Sequence, residues 1–210
     1  MRIDFSKIKL LIVDMDNTLC DTFHTLSTLQ WDRVAKAFEK KGRTDVAVAL
    51  RKNLGKKGFV KTLDELGLPM AEKRFAVSIY DAVDVRSLKL YPDASAILAL
   101  KIPKVLVTRG EKSLQVKKIA HLGVKKYFEG VYFVPTFSGK KVYFEKILNK
   151  YHLKPDEALV IGDRLEEEIK DANILGVPSV LVLRPEWPIR RGDGVADLTV
   201  RSLEKIAGKF

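Results

Sequence analysis

The stretch KLLIVDMDNT, Lys9–Thr18, joins a short apolar run to two acids. Its apolar residues follow one another without polar alternation, which is typical of a β-strand covered on both faces in a parallel sheet. Asp14 and Asp16 stand where this strand, predicted over Lys9–Met15, should end. Ligands of open α/β sheets bind beyond the carboxyl ends of the strands. The stretch therefore predicts a buried strand with a ligand site at its end.

Five more short apolar runs predict further strands of the same sheet. They are Lys104–Thr108, Gly130–Val134, Ala158–Asp163, Ser179–Leu183 and Ala196–Val200. Amphipathic segments of helical length lie between the later runs, at Glu111–Leu122, Lys141–Tyr151 and Leu165–Leu175. This alternation of strand and helix predicts an α/β fold with a Rossmann-like parallel sheet and right-handed crossovers.

Residues 21–89 break the alternation. No segment there has a strand pattern, and glycine or proline separates four helical segments: Thr22–Lys41, Thr44–Asn53, Lys56–Leu66 and Met70–Val83. A block of this size is too large for an ordinary crossover between strands. We therefore expect a small all-α domain over residues 21–89, inserted into an α/β core of residues 1–20 and 90–210.

The composition limits the classes of function. The 210 residues are 46% hydrophobic and 31% charged, which excludes a disordered chain. No apolar stretch approaches the ~18 residues of a membrane span, so no membrane partner is expected. The net charge of +11 favours anionic partners such as phosphate esters, nucleic acid or acidic surfaces. Basic residues do not cluster with stacking aromatic residues, so we expect no nucleic-acid partner.

Two residue counts bear on where the protein works. The single cysteine, Cys20, excludes a disulfide within the chain and predicts a reducing, cytoplasmic location. Only two glutamines accompany 38 basic and 27 acidic residues, a balance that favours a thermophilic source. The oligomeric state, monomer or homodimer, is left open by the sequence.

Three other element ends carry groups that suit phosphate chemistry. Thr108 and Arg109 close the second predicted strand, where a hydroxyl and free backbone N–H groups could bind an anion. Lys140 and Lys141 precede a helix, and Asp163 closes the fourth strand. Ordinary explanations exist as well: Thr108 as a helix cap, the two lysines as a solvated basic helix start, and Asp14 and Asp16 as solvated turn carboxylates. With the two acids of the first strand these groups would converge on one crevice, where Mg²⁺ would offset the paired carboxylates.

Four segments in this order resemble the haloacid dehalogenase-like (HAD) superfamily, in its phosphatase branch with a C1-type helical cap. They are DMDNT at Asp14–Thr18, VTR at Val107–Arg109, a lysine at Lys140 or Lys141, and GDRLEEEI at Gly162–Ile169. The resemblance implies an aspartyl-phosphate on Asp14, with Asp16 as general acid and then base. It also implies Lys140 beside the nucleophile, Mg²⁺ on Asp14, Asp16 and Asp163, and phosphate on Asn17, Thr108 and Arg109.

The expected activity is hydrolysis of a small phosphomonoester such as phosphoglycolate, a sugar phosphate or a nucleotide. A phosphomutase of the same family and a non-catalytic basic binding protein are the alternatives. Glu167 and Glu168 stand where the family commonly has an aspartate, and Glu168, with the better spacing, would reach metal-bound water. Lys56 and Lys57 are candidates to bind a further anionic group of the substrate. Trp187, in a proline-flanked loop, could pack on the sheet edge or serve a subunit contact.

Overall fold

In the part of the chain that the structure describes, six parallel strands form one sheet. This computed structural model describes residues 3–184 and 192–210, so Trp187 lies outside the described residues. The strands are β1 (Leu10–Val13), β2 (Lys104–Arg109), β3 (Gly130–Val134), β4 (Ala158–Gly162), β5 (Ser179–Val182) and β6 (Leu198–Val200). Their order is β3-β2-β1-β4-β5-β6. The predicted Rossmann-like fold is confirmed, and each strand overlaps its predicted range.

Strand β1 lies inside the sheet and is buried on both faces, as its unbroken apolar sequence predicts. Successive side chains of a strand point to opposite faces. Accordingly, Leu11 and Val13 belong to one hydrophobic core, and Leu10 and Ile12 belong to a second. The strand order reverses at β1, because β2 and β4 lie on its two sides. The crevice beyond its carboxyl end is therefore the place where such sheets bind ligands.

The segment 21–89 is helical, as predicted. It contains α1 (Thr28–Lys40), α2 (Thr44–Asn53), α3 (Phe59–Glu65) and α4 (Met70–Asp81). These helices pack around a hydrophobic core of their own, built on Trp31, Phe38 and Leu50 among others. We call residues 21–89 the insert. Its status as a separate domain with these boundaries stays a prediction.

Two helix starts in the insert differ from the predicted ones. A π-helical turn, Phe23–Ser27, precedes the first helix. The third helix begins at Phe59 instead of Lys56. Gly55 has a φ of 72°, a left-handed conformation that an α-helix excludes and that glycine adopts without steric cost. The residues around this glycine therefore form a loop before α3.

The remaining helices belong to the α/β core, outside the insert. They are α5 (Ala94–Leu98), α6 (Lys112–Leu122), α7 (Lys141–Lys150), α8 (Lys170–Leu175) and α9 (Glu204–Ala207). The predicted helix over Leu165–Leu175 divides into a π-helical turn, Leu165–Ile169, and α8. Gly123 and Gly176 follow α6 and α8 in the left-handed conformation that commonly ends a helix. No helix in the described ranges is long and apolar enough to cross a membrane.

The two linkers between insert and core run side by side. The backbone N–H of Asp21 donates to the carbonyl of Lys89 at 3.1 Å. Arg184, two residues after β5, contacts one residue close to each linker. Its Nη2 donates to the carbonyl of Thr18 at 2.6 Å, and its Nη1 donates to Asp93 at 2.8 Å. The chain therefore leaves the core and returns to it at one place, close to the end of β1.

Candidate active site

A cleft lies between the carboxyl end of the sheet and the insert. The core contributes charged side chains to its lining, among them Asp14, Asp16, Lys140 and Asp163. The insert contributes mainly aromatic and apolar side chains: Phe23, Trp31, Phe59, Val60, Val77 and Tyr80. A concave site that combines an apolar wall with a few convergent polar groups is typical of small-molecule binding.

Asp14 is buried in the cleft, directly after β1. The Lys140 ammonium contacts its Oδ1, and the Thr18 hydroxyl donates to its Oδ2 at 3.2 Å. Burial raises the pKa of Asp14 to about 7, although Lys140 opposes this shift. Burial would lower the pKa of Lys140, but the carboxylates of Asp14 and Glu168 hold it above its ordinary value. Asp14 therefore faces a cation that keeps its charge.

The structure distinguishes the two lysines that the sequence leaves open. The backbone N–H groups of Lys140 and Lys141 both donate to Asp171, at 2.7 and 2.9 Å, which positions the start of α7. The Lys140 side chain is 2% exposed and lies in the cleft. That of Lys141 is 43% exposed and faces Glu145. Lys140 is the lysine that reaches Asp14.

The two glutamates of the fourth motif also differ in their surroundings. Glu168 is buried, contacts Lys140 through Oε1 and accepts from the backbone N–H of Arg164 at 3.2 Å. Glu167 pairs with two guanidinium groups, those of Arg109, at 2.5 Å, and Arg164. Burial would raise the pKa of Glu167, but these arginines hold it below its ordinary value. Glu168 thus shares the lysine of Asp14, whereas Glu167 belongs to an arginine network.

Asp163, directly after β4, has the surroundings expected of a metal ligand. Its Oδ2 is buried without a hydrogen-bond partner among the described residues. Burial raises the pKa of Asp163 well above its ordinary value, and the charges of Glu168 and Asp14 add to the shift. Buried carboxylates that repel one another suit a hard divalent cation, and Mg²⁺ takes one or two carboxylates while it keeps several waters. In the described ranges no three His, Cys, Asp or Glu side chains already converge on one point.

Among the described residues, four side chains hold Asp16, and one of them is Cys20, whose thiol donates to Oδ1 at 4.0 Å. Lys118 Nζ donates to its Oδ1 at 2.9 Å, and the Thr22 hydroxyl donates to the same oxygen at 2.5 Å. Gln115 Nε2 donates to Oδ2 at 3.4 Å. Burial would raise the pKa of Asp16, but Lys118 and Thr22 hold it below its ordinary value. The structure therefore favours an ionised Asp16 in the free protein.

The three predicted phosphate contacts occupy different places. Asn17 lines the cleft, has a φ of 57° and accepts from the backbone N–H of Phe23 at 2.9 Å. Arg109 also lines the cleft. The Thr108 side chain is fully buried, donates to Gln115 at 3.1 Å and is not among the described residues that line the cleft. Contact with phosphate stays a prediction for all three.

The two predicted cap lysines are separated as well. Lys57 lines the cleft, and its ammonium contacts Glu65 of α3. Lys56 is exposed and does not line the cleft that the described residues form. The structure thus brings Lys57 to the site already paired with a carboxylate, and it does not bring Lys56 there.

Several cleft residues were not predicted from the sequence. They are Asp81, Gln115, Lys118 and Arg164. For two of them, Gln115 and Lys118, the sequence does contain an indication. Gln115 and Lys118 are neighbours of Leu114 and Ile119 on the buried face of α6. A polar residue on a buried helix face must find a partner there, because an unpaired buried polar group is costly.

Comparison with known proteins agrees with this fold. A sequence profile described as haloacid dehalogenase-like hydrolase matches residues 8–172. The chain is 25% identical over 217 residues to the glyceraldehyde 3-phosphate phosphatase of Methanocaldococcus jannaschii, with 95% of each chain covered. It is 28% identical to the phosphoserine phosphatase of Thermus thermophilus, covering 70% of this chain and 61% of that protein. The chain belongs to the haloacid dehalogenase-like hydrolase family.

A solved structure supports the same fold. A haloacid dehalogenase-like family hydrolase from Streptococcus pneumoniae matches with a TM-score of 0.75. The match covers 97% of this chain and 98% of that chain at 17% sequence identity. At this identity the likeness concerns the fold alone. It spans both the sheet and the insert, so the arrangement of the two is shared.

Proposed function

We propose that the protein is a Mg²⁺-dependent phosphatase that hydrolyses a small phosphomonoester through an aspartyl-phosphate on Asp14. The observation that carries the proposal is the pair of acids after β1. Asp14 contacts the Lys140 ammonium, and Asp16 follows two residues later in the same cleft. Related proteins named glyceraldehyde 3-phosphate phosphatase and phosphoserine phosphatase support a phosphomonoester substrate.

Asp14 supplies the nucleophile. Its carboxylate attacks phosphorus and the leaving oxygen departs, which divides one difficult displacement into two easier ones. The Lys140 ammonium offsets the negative charge that Asp14 and the phosphoryl group bring together. Mg²⁺ held by Asp14, Asp163 and the carbonyl of Asp16 would supply further positive charge beside the phosphoryl oxygens.

Asp16 moves protons in both steps. As an acid it protonates the leaving alkoxide, and as a base it takes a proton from the water that hydrolyses the aspartyl-phosphate. The contact with Lys118 favours the carboxylate, which is the form that the second step needs. A phosphate dianion beside Asp16 raises its pKa by like-charge repulsion, which favours the protonated form that the first step needs.

The insert covers the cleft and would keep water out. Gly58, in the loop before α3, lies against the guanidinium of Arg164. Lys61 Nζ contacts Glu166 Oε2 at 2.7 Å, which joins α3 to the turn after β4. Exclusion of bulk water strengthens the interactions between charges in the site, because water no longer screens them. It also prevents side reactions with water. The aromatic wall of the insert adds an apolar surface above the acids.

Hydrolysis of para-nitrophenyl phosphate with Mg²⁺ and with EDTA tests the proposal. We expect metal-dependent release of para-nitrophenol, and a fall in kcat of at least about a thousandfold in Asp14→Asn. Asp156→Asn is the matched control, because Asp156 is half exposed at the opposite end of β4. Release that EDTA leaves unchanged would contradict the metal requirement. Near-normal turnover by a folded Asp14→Asn protein would contradict the nucleophile.

A further inference from the structure

The cationic side chains of the cleft are already paired. Among the described residues, those that line it are Lys57, Arg109, Lys118, Lys140 and Arg164. Each has a carboxylate oxygen within salt-bridge distance. Two of these pairs, Lys118 with Asp16 and Lys140 with Asp14, include the acids that follow β1, where the phosphoryl group would react. No cation in this set is left over for a second anionic group on the substrate.

The wall that would face the leaving group is aromatic. The rings of Phe59 and Tyr80 stack with centroids 4.2 Å apart, and Trp31 meets Phe59 edge to face at 5.3 Å. Such packed rings form a rigid apolar surface. An anionic group placed against this wall would lose water without gaining a charged partner, which is costly.

Asp81 is the one acidic side chain that the insert contributes to this lining, within the described residues. It ends α4. Its Oδ2 is shielded from solvent and accepts no hydrogen bond from the described residues. Burial raises the pKa of Asp81 to about 6, so the group is mostly ionised at neutral pH. A carboxylate in this position repels a second anion and lacks a donor that a hydroxyl group could supply.

We propose that the cleft selects phosphomonoesters whose leaving group is uncharged and carries a hydroxyl group, and that Asp81 rejects leaving groups that carry a carboxylate. This inference rests on the proposed phosphatase function and deepens it. The hydroxyl of the leaving group donates to Asp81. Substrates such as phosphorylated polyols and hydroxyaldehydes fit the cleft, and phosphorylated carboxylic acids such as phosphoglycolate do not.

Substrates with one carbon skeleton test this selection directly. Glycerol 3-phosphate, glyceraldehyde 3-phosphate and 3-phosphoglycerate differ in whether the far carbon is an alcohol, an aldehyde or a carboxylate. We expect kcat/KM for the two uncharged esters to exceed that for 3-phosphoglycerate by on the order of a hundredfold, because the carboxylates of 3-phosphoglycerate and Asp81 would repel each other. Equal values for the three esters would overturn the inference while the phosphatase function stands. No hydrolysis of any ester, para-nitrophenyl phosphate included, would overturn both.

Asp81→Asn tests the assigned residue. The change removes the charge and keeps the shape, so the ratio of kcat/KM for 3-phosphoglycerate to that for glycerol 3-phosphate should rise about tenfold. Asp84→Asn is the matched control, because Asp84 is exposed three residues later and pairs with Arg86. An unchanged ratio in a folded Asp81→Asn protein would overturn the assignment to Asp81.

Glu65→Gln tests the same inference without altering Asp81. Glu65 neutralises Lys57, so the variant releases a cation into the cleft lining. The ratio of kcat/KM for 3-phosphoglycerate to that for glycerol 3-phosphate should rise severalfold. Asp64→Asn, on the adjacent position of α3, pairs with Lys73 and serves as the control. A ratio equal to that of the control would overturn the view that paired cations exclude a second anion.

Discussion

Removal of the buried partner of Asp16 should destabilise the protein. The side chain of Lys118 is 4% exposed and that of Asp16 is 24% exposed. Lys118→Met keeps an unbranched stem of similar length and deletes the ammonium. Asp16 would then keep the contacts of Thr22, Gln115 and the Cys20 thiol. The pKa of Asp16 is lowered and that of Lys118 is raised, so both shifts favour the ion pair in the folded state.

The expected loss of stability follows from the burial of the ion pair between Lys118 and Asp16. Breaking a buried ion pair by removing one partner costs about 3–5 kcal/mol. Because Asp16 remains partly exposed and keeps a hydroxyl donor, we expect the lower end, about 3 kcal/mol. For a chain of about 200 residues, 1 kcal/mol corresponds to roughly 2–4 °C in Tm. The melting temperature of Lys118→Met should therefore fall by roughly 6–12 °C at neutral pH.

The difference in stability between the wild-type protein and Lys118→Met should depend on pH. The contribution of Asp16 is present above its ordinary pKa of 3.8 and is lost as the pH falls through the lowered folded value. The contribution of Lys118 is present below its ordinary pKa of 10.5 and is lost as the pH rises through the raised folded value. Thermal unfolding followed by circular dichroism should show the full difference at pH 7 and a smaller one at about pH 3.

Two comparisons decide whether the ion pair is the cause. Lys117→Met is the control, because Lys117 is exposed on the same helix. The double variant Asp16→Asn with Lys118→Met leaves no buried charge unpaired, so it should be more stable than Lys118→Met alone. The reasoning is refuted if Lys117→Met and Lys118→Met lower Tm equally. It is also refuted if the double variant loses the sum of the two single losses.

Three further predictions concern glycine positions and the contact between insert and core. Gly162→Ala should lower kcat by on the order of tenfold, because the added Cβ would lie 2.6 Å from Cγ of Glu168 and displace it; an unchanged kcat would contradict this. Lys61→Ala should raise KM while the free energy of unfolding changes by less than about 0.5 kcal/mol, because its exposed ion pair with Glu166 joins insert to core; steady-state kinetics and urea unfolding test both parts. Gly42→Ala should cost about 1 kcal/mol in urea unfolding with kinetics unchanged, since its φ is +75° and nothing lies within 4 Å of an added Cβ; a neutral effect would contradict this.

The strands and their acidic ends could be predicted because they depend on local sequence. A strand that is buried on both faces must be apolar throughout, so β1, β2 and β4 stand out as short unbroken runs. The residues that follow such runs lie at one edge of a parallel sheet. The sequence therefore predicts that Asp14, Asp16 and Asp163 lie close together. In the structure all three line the same cleft.

The family resemblance predicts Lys140 beside Asp14, but the other partners of these acids could not be predicted, because they depend on contacts between distant segments. Lys118 is one of 38 basic residues, and only its burial against Asp16, 102 positions away, distinguishes it. The choice of Lys140 over Lys141 depends on Asp171, which fixes where α7 begins. Asp81 ends a helix, where an acid commonly remains in solvent, and its position in the cleft follows from how the insert packs on the core.

The strand order has a consequence for folding during synthesis on the ribosome. Leu11 of β1 pairs with Lys104 on one side, and Leu10 pairs with Ala158 on the other. Both partners are made long after β1, whereas α1 and α2 are consecutive and can pack as soon as they emerge. Local contacts form faster than distant ones, so we expect the insert to become ordered while β1 is still unpaired. The two acids after β1 would acquire their cations only when the later half of the chain joins the sheet, so a nascent chain would be inert until its fold is almost complete.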